Sequence, residues 1–510
     1  MIIMCMKSGL LTERYNDKIS GELGCYDRVI IRGTPGSLGY ADGMTAFFYS
    51  RNFKIFDFHK IFTPITDEIK ANIEKAAAEK GVEIEYVRKV GAFRKDDKIA
   101  QIISERGNEI GLVHIFSQLE VLDTFDPWCD KDTKHYYFKP ASTKRLVYYV
   151  YFIDKLLGLC YIKVPTVAPF ALGFYFNGHG LLETKLNKEN VSIIKQENAF
   201  LSVYDFEKAQ NLSNEIEVKK IHSVLDGCAR RYCPLPEDWN ISYQWTLSEV
   251  EYSYDIIFKS AEVLKPIYDN IITTAMHTIT PENIANYLGK RFSLQFGGEA
   301  GSRYNKRILG TRIKHQLGDT SVKIYDKFGS VLRIEVTSRN VSEMRVFRDV
   351  QKRDGTIEAK MAPVKKSIYS LFDLTKLFMR ACLRYLEAIS AFDDPTDGFK
   401  KLDQAVENIK ENNRNYKGFN FFSKEDKVIL LAVANPKFNI DGLRNKHLRE
   451  LLPGKNTGQI SRLFKRLCVH NLIEKVRGTL KYRLTILGKQ VITAGFAFIN
   501  MSLVPELAKS

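Results

Sequence analysis

Between residues 26 and 117 short apolar runs alternate with amphipathic stretches. DRVIIRG, FKIFDF, VEIEYVRK and GLVHIF have the length and Val/Ile content of strands, while TDEIKANIEKAAAEKG and KDDKIAQIISERG repeat their apolar positions at helical spacing. The pattern predicts a βα-alternating α/β layer over residues 1–125. The glycines of GTPGSLG are not spaced as G-x-G-x-x-G and no G-K-[ST] follows, so a strand-to-helix turn is expected there, not a phosphate cradle. Residues 126–215 read as an antiparallel β-rich domain, with RLVYYVYFID, GLCYIKVP and FALGFYFNGHG as a meander dense in aromatics. Its tyrosines can stack on bases, but packing is the commoner role of aromatics in strands. His179 has no second His or Cys at ligand spacing and is expected in a loop.

Residues 216–392 read as a helical region around ISYQWTLSEVEYSYDIIF, with Thr280 as an N-cap before Pro281. The stretch GTRIKHQLGDTSVKIYDKFGSVLRIEVTSRN alternates strictly and predicts three antiparallel strands. One face of these carries Val322, Ile324, Leu332, Ile334 and Val336. Residues 367–391 form an amphipathic helix, and 393–420, with DDPTDG, a linker. From residue 421 the chain reads as helix, helix, turn, helix and hairpin: SKEDKVILLAVA with Ser423 as N-cap and an acidic residue three positions on, LRNKHLRELL, GQISRLFKRLCVHN, and LIEKV and KYRLT around RGTL. The expected fold class is therefore α/β plus α+β multidomain: an N-terminal α/β layer, an antiparallel β-rich middle and a C-terminal winged helix. No internal repeat is visible.

At 510 residues, with 45% apolar side chains, the chain suffices for several cores. Its eight cysteines are scattered with no C-x-x-C pair, against a disulfide scaffold or zinc ribbon. MIIMCMK is too short for a secretory core, and glycines and prolines break the longest uncharged stretch, so a soluble cytoplasmic protein with no membrane partner is expected. Charge adds more. The net +16 is concentrated in residues 301–366 and 440–483, as for segments lying against phosphates. The candidate nucleic-acid contacts are Arg312, Lys314, Lys323, Lys327 and Arg333 in the first segment. In the second they are Lys455, Arg462, Lys465 and Arg466 on or near the third helix, and Lys475, Arg477, Lys481 and Arg483 on the wing.

If FGS forms a three-residue loop with Gly329 left-handed, Tyr325 pairs with Arg333 and Lys323 with Glu335. A phenol among Lys323, Lys327 and Arg333 is expected to have a depressed pKa, and Glu335 to hold a divalent cation, Mg or Mn. Tyr325 and Glu335 are thus the catalytic candidates and Glu335 the metal ligand. VKIYDK followed by LRIEV is similar to the Y-[DN]-K … R-[IV]-E hairpin of plasmid and phage rolling-circle replication initiators. That resemblance implies a tyrosine attacking a DNA phosphodiester with metal assistance, although the chain carries no H-hydrophobic-H motif of the related nickases. A basic hairpin that binds phosphates without cutting is the alternative. A further carboxylate pair, Asp27 and Glu120, is expected at strand ends of the α/β layer.

The C-terminal pattern resembles MarR-like transcription regulators, which implies a third helix in the major groove. Over nearly its whole length the chain resembles an uncharacterised family of about 500-residue bacterial proteins with a MarR-like last domain, through YDRVIIRGTPG, GLVHIFSQLE, FYFNGHG, RIKHQLGDTSVKIYDKFGSVLRIEV and YKGFNFF. That resemblance implies architecture and no activity. Three functions follow: a replication-initiation or mobile-element protein acting on DNA, a noncatalytic winged-helix regulator, and an RNA-binding component of a ribonucleoprotein. DNA is favoured over RNA as partner, and an oligomer is compatible with each.

Overall fold

The computed structural model describes residues 10–88, 94–279, 281–290, 300–307, 310–393, 396–434, 442–476 and 478–498. The chain divides into two units, Met1–Asp393 and Asp394–Ser510.

The first unit is built on one eleven-stranded sheet. Its first part contributes β1 (Ile19–Pro35), β2 (Ile84–Tyr86), β3 (Gly111–Cys129), β4 (Tyr136–Asp154), β5 (Gly158–Pro165) and β6 (Leu172–Asn177). A separate hairpin, β7 (Ile193–Gln196) and β8 (Ala199–Val203), follows. The second part adds β9 (Tyr243–Phe258), β10 (Ala300–Arg307), β11 (Gly310–Leu317), β12 (Thr320–Lys327) and β13 (Val331–Ser338). The order is β10-β11-β12-β13-β9-β1-β6-β5-β4-β3-β2. Read outward from the central β1/β9 pair, each side gives one long strand and then a four-stranded antiparallel meander in reverse order, with β2 added in parallel to β3 at the edge of the β1 side. The topology is therefore duplicated about the β1/β9 junction, although the sequence shows no repeat.

The helices of this unit are α1 (Leu11–Arg14), α2 (Ala41–Ser50), α3 (Phe58–Lys80), α4 (Lys95–Arg106), α5 (Gly178–Lys188), α6 (Phe206–Asn214), α7 (Val218–Tyr232), α8 (Ala261–Thr278), α9 (Pro281–Tyr287) and α10 (Leu371–Asp393). Alternation sorts the strand residues. Val29, Ile31, Tyr252, Ile256, Ile324, Leu332 and Ile334 point to one face and join the main core with Phe48, Phe62, Ile69, Leu225, Leu264 and Phe378 of the helices. On the other face α5, α6 and the β7–β8 hairpin bury Leu182, Leu186, Phe200 and Ala209 against Leu23 and Cys25, and α4 covers Phe116 and Tyr151. The ribbon β14 (Arg345–Gln351) and β15 (Ile357–Pro363) stands outside the large sheet.

Several expectations are corrected. The segments 1–125, 126–215 and 216–392 are not separate domains, because β1 pairs with β6 of the second and β9 of the third. The fold is mixed α/β as expected, but a βα-alternating layer does not form: among the described residues β2 and β3 are the one parallel pair. FKIFDF is a 3-10 turn at Ile55–Asp57 leading into α3. There Ile55, Phe58, Phe62, Ile65 and Ile69 are buried at helical spacing, which outweighs the strand-like composition of the run. The meander, the turn after β1, the long helix after residue 370 and the three strands β11–β13 stand as expected. Thr280 lies outside the described residues.

The second unit holds α11 (Thr396–Val406), β16 (Ile409–Glu411) and β17 (Arg414–Tyr416), where a linker was expected. Then come α12 (Lys424–Val433), α13 (Asn445–Leu451), α14 (Thr457–Val469), the hairpin β18 (Ile473–Lys475) and β19 (Tyr482–Leu484), and α15 (Ile486–Phe498). Ile460, Leu463, Phe464 and Leu467 of α14 pack with Phe419, Leu430 and Leu448, as the sequence predicts. Ser423 occupies the N-cap of α12 without a side-chain cap bond. Asp426, three positions on, instead accepts from the Asn420 backbone N–H at 2.9 Å and from the Arg466 guanidinium at 2.9 and 3.1 Å. Among the described residues no helix is long and apolar enough to cross a membrane.

Candidate functional site: a carboxylate cluster on the sheet face opposite the main core

The hairpin β12–β13 turns through Phe328, Gly329 and Ser330, with Gly329 at φ 76°, and pairs Tyr325 with Arg333 and Lys323 with Glu335. This is the register expected from the sequence. Next to it β9 aligns Asp255 with Arg333 and Ser253 with Glu335. On β1 one extra residue bulges the strand between Tyr26 and Val29 and delivers Asp27 to the same place. His179 enters from the first turn of α5, where Asn177 caps the helix by accepting from the His179 N–H at 2.8 Å. Gly178 permits this approach, because a Cβ there would stand 2.1 Å from the Tyr26 carbonyl oxygen.

Arg333 is the largest fully buried side chain of the protein's described residues. Its Nε and Nη2 donate to the two oxygens of Asp255 at 2.7 and 2.6 Å, its Nη1 to Asp27 at 3.3 Å, and Nη2 also to the Asn198 carbonyl at 2.6 Å. His179 lies 3.4 Å from Asp27 through Nδ1 and 3.8 Å from Asp255 through Nε2. Burial opposes its charge, but Cys25 and the carboxylates of Asp255 and Asp27 outweigh burial and push it up to about 10. The same network holds Asp27 and Asp255 below the usual carboxylate range against burial, through His179 and Arg333 for Asp27 and through Arg333 and His179 for Asp255. Arg333, His179 and two carboxylates are thus interleaved in a dry pocket, with Arg333 Nη2 also 3.1 Å from His179 Nε2.

Beside this pocket, carboxylate oxygens of Asp27, Glu251 and Glu335 lie within 4.8 Å of one another. Burial and the adjacent Glu335 raise Glu251. The ammonium of Lys323 bridges two of the three, at 3.2 Å from Glu251 and in closer contact with Glu335. These are hard oxygen donors of the kind that hold Mg²⁺ or Mn²⁺, and Lys323 holds the place such an ion would take between Glu251 and Glu335. Tyr325 donates its O–H to Glu335 at 2.8 Å. Further along this face Lys314 is pushed down by burial and by Lys323, Arg339, Arg303 and Arg312, which marks a basic strip leading to the carboxylates.

No protein-family model matches the chain, and no curated protein or solved structure does.

The structure corrects several residue assignments. The Tyr325 phenol is not depressed: burial and the neighbouring Glu335 carboxylate raise it well above its ordinary value, outweighing Arg333. The expectation counted cations and missed that each is already paired. Arg333 is buried and cannot touch phosphate as it stands. Lys323 is held by carboxylates and Lys327 by the Asn198 side chain, and Arg312 and Lys314 are half-buried. His179 is not in a loop but buried in a helix start. Asp27 and Glu120 lie within strands, not at their ends, and only Asp27 joins the cluster; Glu120 binds Lys163 at 2.7 Å and Tyr149.

In the second unit Arg466 faces inward. It donates to Asp426 and to the carbonyls of Lys417 and Gly418 at 2.7 and 2.6 Å, above the Phe419 ring. Arg462 and Lys465 stay on the outer side of α14, Lys465 paired with Glu411 at 2.5 Å. Lys455 pairs with Glu425 and Arg483 with Glu474, Lys475 is exposed and Lys481 half-buried. Arg477 lies outside the described residues.

Sequence reasoning missed Glu251 and Asp255. In SEVEYSYDII the polar residues Glu249, Glu251, Ser253 and Asp255 alternate with Val250, Tyr252, Tyr254 and Ile256. A strand with acids on its second face at period two was the available signal.

Proposed function

We propose that the first unit acts on nucleic-acid phosphodiesters, DNA in the first instance, with Mg²⁺ or Mn²⁺ held by Asp27, Glu251 and Glu335, in a replication-initiation or mobile-element setting. The observation that carries this is the meeting of three carboxylates from β1, β9 and β13 with a tyrosine bonded to one of them. Such a cation would neutralise the carboxylates and polarise a phosphoryl oxygen. Tyr325 is the nucleophile: its proton passes to Glu335 as the phenol oxygen bonds phosphorus and a sugar oxygen leaves. The raised pKa makes Glu335 an obligatory base, and the buried phenol must be uncovered before a strand can reach it. Arg333 acts as a positioning residue that fixes β13 against β9. In the second unit, α12–α14 and β18–β19 serve as a winged helix that docks on duplex through Arg462 and Lys465.

The test uses plasmid and single-stranded DNA with Mn²⁺, together with calorimetric Mn²⁺ titration. Tyr325→Phe should abolish cleavage and leave Mn²⁺ binding intact, Glu335→Gln should weaken both, and Lys323→Met should tighten Mn²⁺ binding by removing the competing ammonium. Cleavage retained by Tyr325→Phe sinks the nucleophile, and Mn²⁺ affinity indifferent to Glu335→Gln sinks the metal site. The neutral, buried phenol favours a second reading, a noncatalytic winged-helix regulator, which predicts duplex binding with no cleavage in the same assay.

A further inference from the structure

The ribbon β14–β15 pairs over seven positions, from Arg345 with Pro363 to Gln351 with Ile357. Every residue from 351 to 361 is exposed, and so is an apolar stripe in which Phe347 (67% exposed) sits across from Met361 (52%). Two strands without a third sheet neighbour are marginally stable in water, and exposed apolar side chains on such a ribbon mark a surface made for contact.

Its charge identifies the contact. Residues 345–366 carry Arg345, Arg348, Lys352, Arg353, Lys360, Lys365 and Lys366 against Asp349, Asp354 and Glu358. Lys352 and Lys360 share the single carboxylate of Glu358, each at 3.2 Å. The foot of the ribbon is fixed: Val364 N–H donates to the Met344 carbonyl at 2.9 Å, Met344 and Val364 are buried, and Leu247 N–H donates to the Lys366 carbonyl at 2.6 Å. Leu247 belongs to β9, the strand that carries Glu251 and Asp255.

We propose that the β14–β15 ribbon is a DNA arm that lies in the major groove of a duplex, its cations on the flanking phosphates and its Phe347–Met361 stripe against the base edges. The inference rests on the nucleic-acid reading above and adds to it the duplex and the element that grips it. A major groove about 12 Å wide admits a two-stranded ribbon, and seven residues at about 3.4 Å reach roughly two-thirds of a helical turn.

The test measures binding of the full chain to a fluorescein-labelled 30-base-pair duplex by anisotropy between about 50 and 300 mM salt. The triple variant Lys352→Ala, Arg353→Ala, Lys360→Ala should lower the slope of log affinity against log salt by about 2.7, which is about 0.9 for each lost phosphate contact. A control with Lys75→Ala, Lys80→Ala, Lys219→Ala removes the same charge elsewhere and should leave the slope near wild type. Wild-type duplex binding with an unchanged slope in the triple variant overturns the arm and leaves the nucleic-acid reading standing. No wild-type binding to duplex or single strand overturns both. A wild-type dimer that Phe347→Ser with Met361→Ser splits, at unaltered duplex affinity, makes the ribbon a protein interface and overturns the arm.

Discussion

Replacing Arg333 by Met removes one guanidinium from a place that water does not reach. The side chain is fully buried and makes a two-point bond to Asp255, a third contact to Asp27 and a fourth to the Asn198 carbonyl. Opposite charges about 4 Å apart at an effective dielectric of 20 attract by about 4 kcal/mol, and removing one partner of a buried pair costs about 3–5 kcal/mol. The loss at pH 8 is expected in that range. Its pH dependence follows from the signs. In the wild type Asp27 and Asp255 are held below their unfolded values, so their contribution is complete above about pH 4 and is lost only as pH falls through the depressed values. Without Arg333, Asp255 loses the charge that chiefly opposes its burial and is pushed up, while His179 and Asn198 still hold Asp27 down. The variant then gains stability by taking up a proton at low pH and forfeits it as pH rises. Lys327, Tyr325 and His179 face the same pocket in both proteins and do not reverse the sign. The deficit should therefore be smaller at pH 5 than at pH 8. All three tryptophans, Trp128, Trp239 and Trp245, lie in the first unit, so urea unfolding followed by their emission, with EDTA present, reads this unit alone. A loss under about 1 kcal/mol at pH 8, or an equal loss at both pH values, refutes a dry, charge-interleaved pocket. Adding Asp255→Leu should return part of the loss, since an unpaired charge is then removed too.

Arg466→Ala should destabilise the second unit by about 2–3 kcal/mol, because it leaves Asp426 with the Asn420 N–H but no countercharge and takes a donor from two carbonyls; hydrogen exchange of α12 and α14 amides measures it, and the salt slope of duplex binding should not change. Gly178→Ala should cost at least about 2 kcal/mol, because its Cβ would press on the Tyr26 backbone, which cannot yield without breaking β1; a melting temperature within a degree of wild type would show that α5 can shift.

The β12–β13 hairpin was legible because its alternation is local. Eight residues on each side of a three-residue turn admit one register that buries Val322, Ile324, Leu332 and Ile334 together. The partners of Arg333 were not legible in the same way. Asp27 is 306 residues away along the chain, and it reaches the pocket through a bulge that no periodicity announces. The three-domain division failed for a related reason: composition shifts between segments 1–125, 126–215 and 216–392, but hydrogen bonding between β1, β6 and β9 ignores composition. In the second unit the helices and hairpin were readable from amphipathic spacing. The inward turn of Arg466 was not, because its partners Asp426, Lys417 and Gly418 come from before α14 and from a segment read as linker.

The pairing of Asp27 with Arg333 also sets a timetable. Synthesis at about 5–20 residues per second separates the two residues by roughly 15–60 s, far longer than a hairpin or a helix needs to form. Once β6 (Leu172–Asn177) is made and until β9 (Tyr243–Phe258) follows, β1 has its neighbour β6 but not β9, and Asp27 sits on a free sheet edge with neither Arg333 nor Asp255 beside it. The nascent first half therefore carries an unpaired acid on its growing edge, the kind of charge that keeps an open strand from pairing with the wrong chain, until the second half arrives and neutralises it.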